Sequence, residues 1–300
     1  MIYTLTLNPA LDYILSVPSF TQGQVNRSSR EEIQAGGKGI NVSVILNRLG
    51  VDNVALGCVA GFTGTEICRI LENYGIKTDF IHLPSGNSRI NVKLKTDKET
   101  EVNAKGPIID NESLSNLFDK LKNLTTSDYL VLSGSPGNGL TTDIYKDIIE
   151  LVKAKSVKVI LDAEGDALLS ALRGKPFLIK PNHHELGQIL NKKIETHNHA
   201  IEGAKELQAM GAQNVIISMA EMGAVMVTQE GQAFTMSAPK GCVINSTGAG
   251  DSLVGGFLAE FSRSNDYYKA FKMGICSGSA TAFSMGLAEK EYIYEILKTL

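Results

Sequence analysis

The positions of the apolar residues divide most of the chain into short buried strands that alternate with amphipathic helices. Apolar, β-branched runs predict strands at Ile2–Leu7, Val54–Val59, Tyr129–Ser133, Val157–Asp162, Phe177–Ile179 and Val215–Ser218. Apolar residues at helical spacing predict helices over residues 38–50, 63–75, 111–124, 141–153, 198–211, 251–264 and 266–285. This alternation predicts an α/β fold with an open, mostly parallel sheet and helices on both faces.

Two regions depart from this alternation, at about residues 12–35 and 88–104. The first contains a short apolar run and a polar β-like run, and the second alternates with period two from Arg89 to Lys95 and continues over Glu99–Asn103. Strands inserted from two places would form a small second sheet beside the main domain. Such a sheet can be a lid that keeps water from a reactive group, or it can be decorative or form a dimer. No linker or repeat divides residues 1–300, so we expect one domain.

Composition and charge narrow the functional classes. The 300 residues are 43% hydrophobic and 20% charged, as in ordinary globular proteins, and the net charge of −3 does not favour nucleic-acid binding. No apolar run reaches the roughly 18 residues that span a bilayer, so we expect neither a membrane segment nor a signal peptide. The four cysteines are scattered without a CxxC pair, which favours a cytoplasmic protein without disulfides or a cysteine zinc site.

The most informative polar segment is a turn of small residues that precedes an apolar helix. Residues 245–251 read Asn-Ser-Thr-Gly-Ala-Gly-Asp. The first N–H groups of a helix have no internal partner and can bind an anion, so Gly248, Ala249 and Gly250 are candidates for an anion hole. A carboxylate beside an anion indicates phosphoryl transfer, in which Asp251 accepts the proton of the attacking hydroxyl. The alternative is that Asp251 only caps the helix.

A second glycine cluster and an early carboxylate point to a sugar. Gly37, Lys38 and Asn41 open a helix after a glycine pair, which suggests a polyol or sugar phosphate at that helix N-terminus. Asp12 follows the first strand, in the kind of loop where open α/β sheets bind ligands, and can accept hydrogen bonds from two adjacent sugar hydroxyls. The alternatives are a tight turn with a solvated lysine and a turn-forming aspartate.

Charged residues farther along the chain suggest contacts to phosphate and to a metal ion. Arg27 and Arg89 lie in the two inserted regions, and with Lys38 they could converge on one phosphate. Asn182 and Glu185 are three positions apart after a predicted strand, so both could orient waters around Mg²⁺. The alternatives are solvated charges for the arginines, and a helix cap with a surface charge for the second pair.

Together these segments resemble the ribokinase-like (phosphofructokinase B) family of sugar kinases. The resemblance extends over essentially the whole chain and rests on two ordered signatures, residues 36–41 and residues 247–251. It implies a ribokinase-like three-layer αβα sandwich with a mostly parallel sheet and a small inserted β-sheet lid. It also implies a homodimer, because the lid often forms the dimer interface in this family.

Within the family, the chain resembles the branch that phosphorylates ketohexose monophosphates. Residues 4–9, 25–27 and 35–42 are typical of that branch, and residues 88–95 resemble members that act on fructose 1-phosphate more than those that act on tagatose 6-phosphate. The resemblance implies phosphorylation of the 6-hydroxyl of fructose 1-phosphate by ATP, with Mg²⁺. Alternatives are tagatose 6-phosphate or fructose 6-phosphate as the substrate and, in another class, a weakly catalytic regulator that binds a sugar phosphate.

The resemblance also assigns roles to the matching residues. Asp251 is expected to be the catalytic base, with Gly248, Ala249 and Gly250 as its anion hole. The expected contacts to the sugar and its phosphate are Asp12, Arg27, Gly37, Lys38, Asn41, Arg89 and Asn138. The expected nucleotide contacts are Lys180, Asn182, Glu185, Ser218, Gly223, Gly248 and Gly250, and Glu185 is expected to bind Mg²⁺ through water.

Two positions differ from the family pattern. Ala220 stands where relatives usually have glycine in the nucleotide-side turn, and alanine is unfavourable there if its φ is positive. Pro136 stands one place earlier than the usual proline of a loop that contacts the sugar in the family.

Overall fold

The computed structural model describes residues 1–96 and 100–300. Residues 97–99, which belong to the predicted strand region 88–104, lie outside the described residues. The strands are β1 (Ile2–Thr6), β2 (Ala10–Ser16), β3 (Arg30–Gly36), β4 (Asn53–Val59), β5 (Lys77–Thr78), β6 (Ile81–His82), β7 (Arg89–Lys95), β8 (Thr100–Asn103), β9 (Tyr129–Ser133), β10 (Lys158–Asp162), β11 (Leu178–Ile179), β12 (Asn214–Ser218), β13 (Ala224–Val227) and β14 (Ala233–Met236). The helices are α1 (Lys38–Arg48), α2 (Gly61–Asn73), α3 (Asn111–Leu121), α4 (Ile144–Lys153), α5 (Gly165–Leu172), α6 (His183–Leu190), α7 (His197–Ala209), α8 (Ala249–Ser264), α9 (Tyr267–Ala282) and α10 (Lys290–Leu297).

The large sheet has the strand order β14-β13-β12-β11-β10-β9-β1-β4-β5, and β6 pairs with β4. Its neighbours are parallel from β12 to β5, and only β13 and β14 are added antiparallel at one edge. The chain leaves β1 toward β4 on one side and later returns to β9 on the other side. Because ligands of open α/β sheets bind where the strand order reverses, the carboxyl ends of β1 and β9 mark the expected site.

Apolar side chains of this sheet point alternately into two helical layers. Leu5, Leu132 and Leu161 are fully buried on one face, whereas Val131 and Ile160 are buried on the other. Residues of α3, α4, α5 and α7 share the first core, and residues of α1, α8, α9 and α10 share the second. The predicted three-layer αβα sandwich with a mostly parallel sheet is confirmed.

The two regions that break the alternation form a separate four-stranded sheet, in the order β3-β2-β7-β8. We call it the small sheet. In it β2 pairs antiparallel with β3 and parallel with β7, and β7 pairs antiparallel with β8. The observed β2 begins at Ala10, before the predicted region, and β3 begins at Arg30, later than the predicted β-like run.

Several predicted boundaries are wrong by a few residues, because apolar periodicity shows which residues face the core but not where the backbone enters or leaves the helix. The helix predicted from residue 251 begins at Ala249, the one predicted over 141–153 begins at Ile144, and the one predicted to reach 285 ends at Ala282. Within the described ranges, no helix combines the length and the apolar character needed to cross a membrane.

Candidate active site

A buried carboxylate between two lysines lies at the carboxyl end of the large sheet. Asp162 is the last residue of β10, and Lys180 follows the neighbouring strand β11, so the two side chains lie side by side. Lys180 Nζ is 3.4 Å from Asp162 Oδ1, and Lys38 Nζ, at the start of α1, is 4.0 Å from the same oxygen. Asp162 and Lys180 are both nearly inaccessible to solvent. Two cations therefore face one charge-balancing carboxylate at the carboxyl end of β10, the strand next to β9.

Asp251 lies beside this cluster in the first turn of α8. The N-cap of α8 is Gly248, whose φ of 79° lies in the left-handed region that favours glycine. Gly248, and not Asp251, therefore holds the N-cap position of α8, whereas the alternative interpretation made Asp251 the cap. Instead, Asn41 Nδ2 donates to Asp251 Oδ2 over 2.7 Å. This bond holds the carboxylate at the junction of α1 and α8.

Burial shifts the proton affinity of this carboxylate. Burial first, and repulsion from Asp162 second, raise the pKa of Asp251 to about 6, although Asn41, Lys38 and Lys180 act in the opposite direction. Burial lowers the pKa of the Lys38 ammonium, but Asp162, Asp251 and more distant carboxylates outweigh it, and the net pKa is raised. Asp251 is thus largely ionised at neutral pH and close to the range in which a general base works best.

Unpaired amides and an ammonium adjoin Asp251. The Ala249 amide donates to the Ser246 carbonyl over 3.2 Å, whereas no described residue accepts the amides of Gly250 and Asp251. A Cβ atom on Gly250 would lie 3.1 Å from Lys180 Nζ, so this ammonium lies directly over the turn. The arrangement can bind an anion such as a phosphoryl group. Of the three residues of the predicted anion hole, Gly250 has a backbone amide that is free to donate, and Gly248 forms the turn. The amide of Ala249 is already bonded to Ser246.

The predicted sugar-binding carboxylate, Asp12, projects from β2 and is held by side chains of the adjacent strand β7. Asn91 Nδ2 donates to Asp12 Oδ1 over 2.9 Å, and Lys93 Nζ lies 2.8 Å from Asp12 Oδ2. Gly36 makes room for this carboxylate, because a Cβ atom there would approach Asp12 Cγ to 2.6 Å. Each carboxylate oxygen retains acceptor capacity for a sugar hydroxyl.

The three cations that we expected to converge on one phosphate have different environments. Lys38 faces Asp162, while Arg89 Nε donates to the Asn8 carbonyl over 3.0 Å. Burial lowers the pKa of Arg89, and Asp12 partly opposes this change. Arg27 is exposed in the segment between β2 and β3. Their convergence on a single ligand group remains a prediction.

Two further predicted sugar contacts lie in a hydrogen-bonded loop and at a helix N-cap. Asn138 Nδ2 donates to the Gly106 carbonyl over 3.1 Å, and the Asn138 carbonyl accepts from Ile109. Gly37 is the N-cap of α1 and, like Gly248, has a positive φ.

The predicted nucleotide side is a pair of turns next to Lys180. Asn182 caps α6 by accepting from the amides of residues 184 and 185, and Glu185 Oε2 accepts from the Asn182 amide over 2.8 Å. This capping box occupies one oxygen of Glu185 and leaves the other available. The amide of Ser218, at the end of β12, donates to the Pro181 carbonyl, which joins this turn to the next.

The turn after Ser218 contains the alanine that departs from the family pattern. Ala220 has a φ of 49°, in the left-handed region, and its carbonyl accepts from the Gly223 amide. The condition under which we expected alanine to be unfavourable is therefore met.

Sequence reasoning missed two charged residues of the site. Asp162 closes a correctly predicted strand, and a carboxylate at the carboxyl end of a parallel strand was an available signal. Lys93 lies inside the predicted period-two run, but its contact with Asp12 depends on the parallel pairing of β2 and β7.

Comparisons with known proteins show which family and which fold the chain shares. The family model described as pfkB family carbohydrate kinase matches residues 6–291. A 1-phosphofructokinase of Bacillus subtilis is 46% identical over 99% of this chain and 97% of its own length. A D-tagatose-1-phosphate kinase of Bacillus licheniformis is 36% identical over 96% of this chain and 95% of its own length. The crystal structure of Escherichia coli phosphofructokinase-2 with substrates and products has a TM-score of 0.94 at 24% identity, covering 100% of this chain and 99% of that one.

Proposed function

The chain belongs to the pfkB family of carbohydrate kinases, and on that basis we propose that it transfers a phosphoryl group from ATP to the 6-hydroxyl of fructose 1-phosphate. The products are fructose 1,6-bisphosphate and ADP. The observation that carries the proposal is the buried Asp251 beside the unpaired amides of α8 and the Lys180 ammonium. A base next to an anion hole suits attack by an alcohol on a phosphoryl group.

The site supplies a group for the proton that is released in the proposed step and donors for the charge that moves. The 6-hydroxyl oxygen attacks the γ-phosphorus, Asp251 takes the hydroxyl proton, and the bond from the γ-phosphorus to the β,γ-bridging oxygen breaks to release ADP. The Gly250 amide and the Lys180 ammonium stabilise the charge on the phosphoryl oxygens as it moves. Asn41 keeps the Asp251 carboxylate oriented toward the hydroxyl.

The residues near Lys180 fit the Mg²⁺ that accompanies ATP. Mg²⁺ usually keeps several waters and binds through one or two carboxylates together with substrate phosphates. In the described ranges, no cluster of three or more potential ligand side chains forms a cage, and Glu185 offers one oxygen outside its capping box. Glu185 would therefore bind the ion through water, and the bound ion would neutralise charge on the nucleotide phosphates.

The sugar is proposed to lie between Asp12 and Asp251, with Gly37, Lys38 and Asn41 along one wall. Fructose 1-phosphate is favoured because the 1-phosphofructokinase of Bacillus subtilis is 46% identical over nearly the full length. Tagatose 1-phosphate is a second candidate, because a relative of that specificity is 36% identical. The two sugars carry the phosphate on the same carbon and differ in the configuration of one hydroxyl.

We propose further that residues 1–300 form one kinase domain in which the small sheet is both lid and dimer interface. The face of this sheet that carries Asp12 supports the lid, since it presents the sugar-binding groups. The opposite face exposes Ile33, Ile90 and Val102, which are 55%, 40% and 61% accessible. Exposed apolar residues on three strands of one sheet face favour a protein–protein contact, here with a second copy of the chain.

The test is ADP release with Mg-ATP and a panel of sugars, compared by kcat/KM. The panel comprises fructose 1-phosphate, tagatose 1-phosphate, tagatose 6-phosphate, fructose 6-phosphate and unphosphorylated fructose. We expect the highest kcat/KM with fructose 1-phosphate. A preference for a 6-phosphate would contradict the substrate but keep the kinase, and absence of turnover with every sugar would contradict the whole proposal.

A further inference from the structure

Lys93, to which the sequence motifs assign no role, contacts the proposed sugar-binding residue Asp12. Lys93 Nζ is 2.8 Å from Asp12 Oδ2, and its side chain is only 12% exposed. Along β7, Lys93 points to the same side of the small sheet as Asn91, the other partner of Asp12. The lysine and the proposed sugar-binding carboxylate therefore form one polar unit.

Structural support of Asp12 does not by itself account for this largely shielded lysine. Asn91 already fixes the other oxygen of Asp12, and Gly36 packs directly against the carboxylate. Removing an ammonium from water is costly, and buried ion pairs often add little net stability. Asn91 and Gly36 thus already position the Asp12 carboxylate, which points to a second role for the positive charge of Lys93.

The charge balance around Lys93 leaves it able to bind an anion. An ammonium has three donors, and Asp12 lies at hydrogen-bonding distance of one of them. The other carboxylate nearby, Glu101, is 4.0 Å away and thus beyond hydrogen-bonding distance. Arg89, two strand positions before Asn91 on the same side of β7, adds a second positive charge near Asp12.

We propose that Lys93 binds the 1-phosphate of the ketose and is thereby the residue that selects a sugar phosphorylated at carbon 1. This inference rests on the proposed function. In a ketose, carbons 1 and 3 flank carbon 2, so a phosphate on carbon 1 is close to the hydroxyl of carbon 3. A sugar whose ring hydroxyls bind Asp12 therefore brings its 1-phosphate to the lysine beside Asp12, while carbon 6 extends toward Asp251. The same geometry serves fructose 1-phosphate and tagatose 1-phosphate.

The experiment compares Lys93→Gln, Lys93→Arg and Lys95→Gln with the wild-type protein. Lys95 is the matched control, since it lies on the same side of β7, two residues beyond Lys93 and farther from Asp12. For each protein, kcat/KM is measured with fructose 1-phosphate and with unphosphorylated fructose, the latter from the linear dependence of rate on sugar concentration. The quantity of interest is the ratio of the two values.

We expect Lys93→Gln to lower this ratio by about 10- to 100-fold, the usual effect of one charge-assisted hydrogen bond. Lys93→Arg should restore the ratio to within about fivefold, and Lys95→Gln should leave it within about threefold. If Lys93→Gln lowers kcat/KM equally for both sugars, the lysine acts only through Asp12 and the inference is wrong.

A second comparison guards against misfolding of Lys93→Gln, which leaves Asp12 without its ion-pair partner. Asp12→Asn is therefore compared with the double variant Asp12→Asn/Lys93→Gln, in which both charges of the pair are removed, and the double variant should have the lower ratio by the same factor. An unchanged ratio between them would also overturn the inference. Failure of the proposed function is distinct, because it would appear as a wild-type protein without preference for the 1-phosphate.

Discussion

Asn41 Nδ2 lies 2.7 Å from Asp251 Oδ2, and this hydrogen bond joins two glycine-rich segments that are 210 residues apart in the chain. Asn41 lies in the first turn of α1, and Asp251 lies in the first turn of α8. The two helices pack closely, because a Cβ atom on Gly255 would lie 2.8 Å from Ile45 Cγ2. The packing of α1 on α8 thus sets the position of the proposed base relative to the proposed sugar site.

Asp251→Asn should abolish most turnover without weakening the binding of the sugar. The amide has nearly the same shape but cannot accept the hydroxyl proton, so kcat should fall by at least about 10²-fold. The Kd of fructose 1-phosphate, measured by calorimetry, should change by less than about threefold. Glu260→Gln, a partly exposed change on the same helix, is the control and should keep full activity. Near-normal kcat in Asp251→Asn would remove this residue from the chemical step.

The pH dependence of kcat/KM should have an acid limb near pH 6 that depends on Asp162. Activity requires ionised Asp251, so kcat/KM should fall as the pH drops through the Asp251 pKa of about 6. Asp162→Asn removes a negative charge that raises this pKa, and the midpoint of the limb should therefore move to lower pH.

The substrate phosphates titrate in the same way with the wild-type protein and with Asp162→Asn. The difference between the midpoints of the two acid limbs therefore reports the change in the pKa of Asp251. The rate of Asp162→Asn can also fall, since Lys38 and Lys180 lose their common partner. A midpoint that stays in place or moves to higher pH would show that Asp162 does not act on the base.

The large sheet could be predicted from the sequence because both of its faces are buried. Strands such as β9 and β12 contain continuous apolar runs, and their fully buried residues include Leu130, Leu132 and Ile216. Short elements were missed for the opposite reason. The two-residue strands β5 and β6 exist only through pairing with β4, and α10 buries only Ile293 and Ile296.

The site could be predicted where one segment carries both the backbone signal and the functional group. The turn of residues 248–251 satisfies this condition, and so does the helix start that includes Asn41. The ion pairs of the site could not be predicted, because each joins residues from two separate segments. Contact between Lys180 and Asp162 requires β10 and β11 to be neighbours, and contact between Lys93 and Asp12 requires the parallel register of β2 and β7. Strand register over such separations is a property of the folded chain.

Gly250→Ala should lower turnover while the protein remains as stable as the wild type. The added methyl would lie 3.1 Å from Lys180 Nζ, the flexible end of a long side chain, so it should displace the ammonium rather than the helix. Alanine is also the better helix former. We expect kcat to fall about 10- to 100-fold, with no decrease in melting temperature.

A double-variant cycle checks whether this effect passes through Lys180. In a Lys180→Gln background the same Gly250→Ala change should cost much less activity, because the ammonium is already absent. Additive losses would indicate that the methyl group blocks the ligand itself.

Ala220→Gly should stabilise the protein. The φ of Ala220 is 49°, and the left-handed region costs an alanine about 1–2 kcal/mol, from which the greater freedom of glycine in the unfolded chain subtracts up to about 1 kcal/mol. The free energy of unfolding, measured with urea, should rise by roughly 0.5–1 kcal/mol. Ala233→Gly, an exposed strand position without positive φ, is the control and should lower it by a similar amount. Destabilisation by Ala220→Gly would mean that the turn does not carry this strain.

Val102→Glu should convert the proposed dimer into a monomer. Val102, on the edge strand β8, is 61% exposed on the face of the small sheet that also carries Ile33 and Ile90, so a second copy seated there would bury the new carboxylate without a partner. Sedimentation velocity should give a dimer for the wild type and a monomer for Val102→Glu at the same micromolar concentration. Leu169→Glu, at a 39% exposed position on α5, is the control and should remain dimeric. If the wild type sediments as a monomer, or Val102→Glu as a dimer, this face is not the interface.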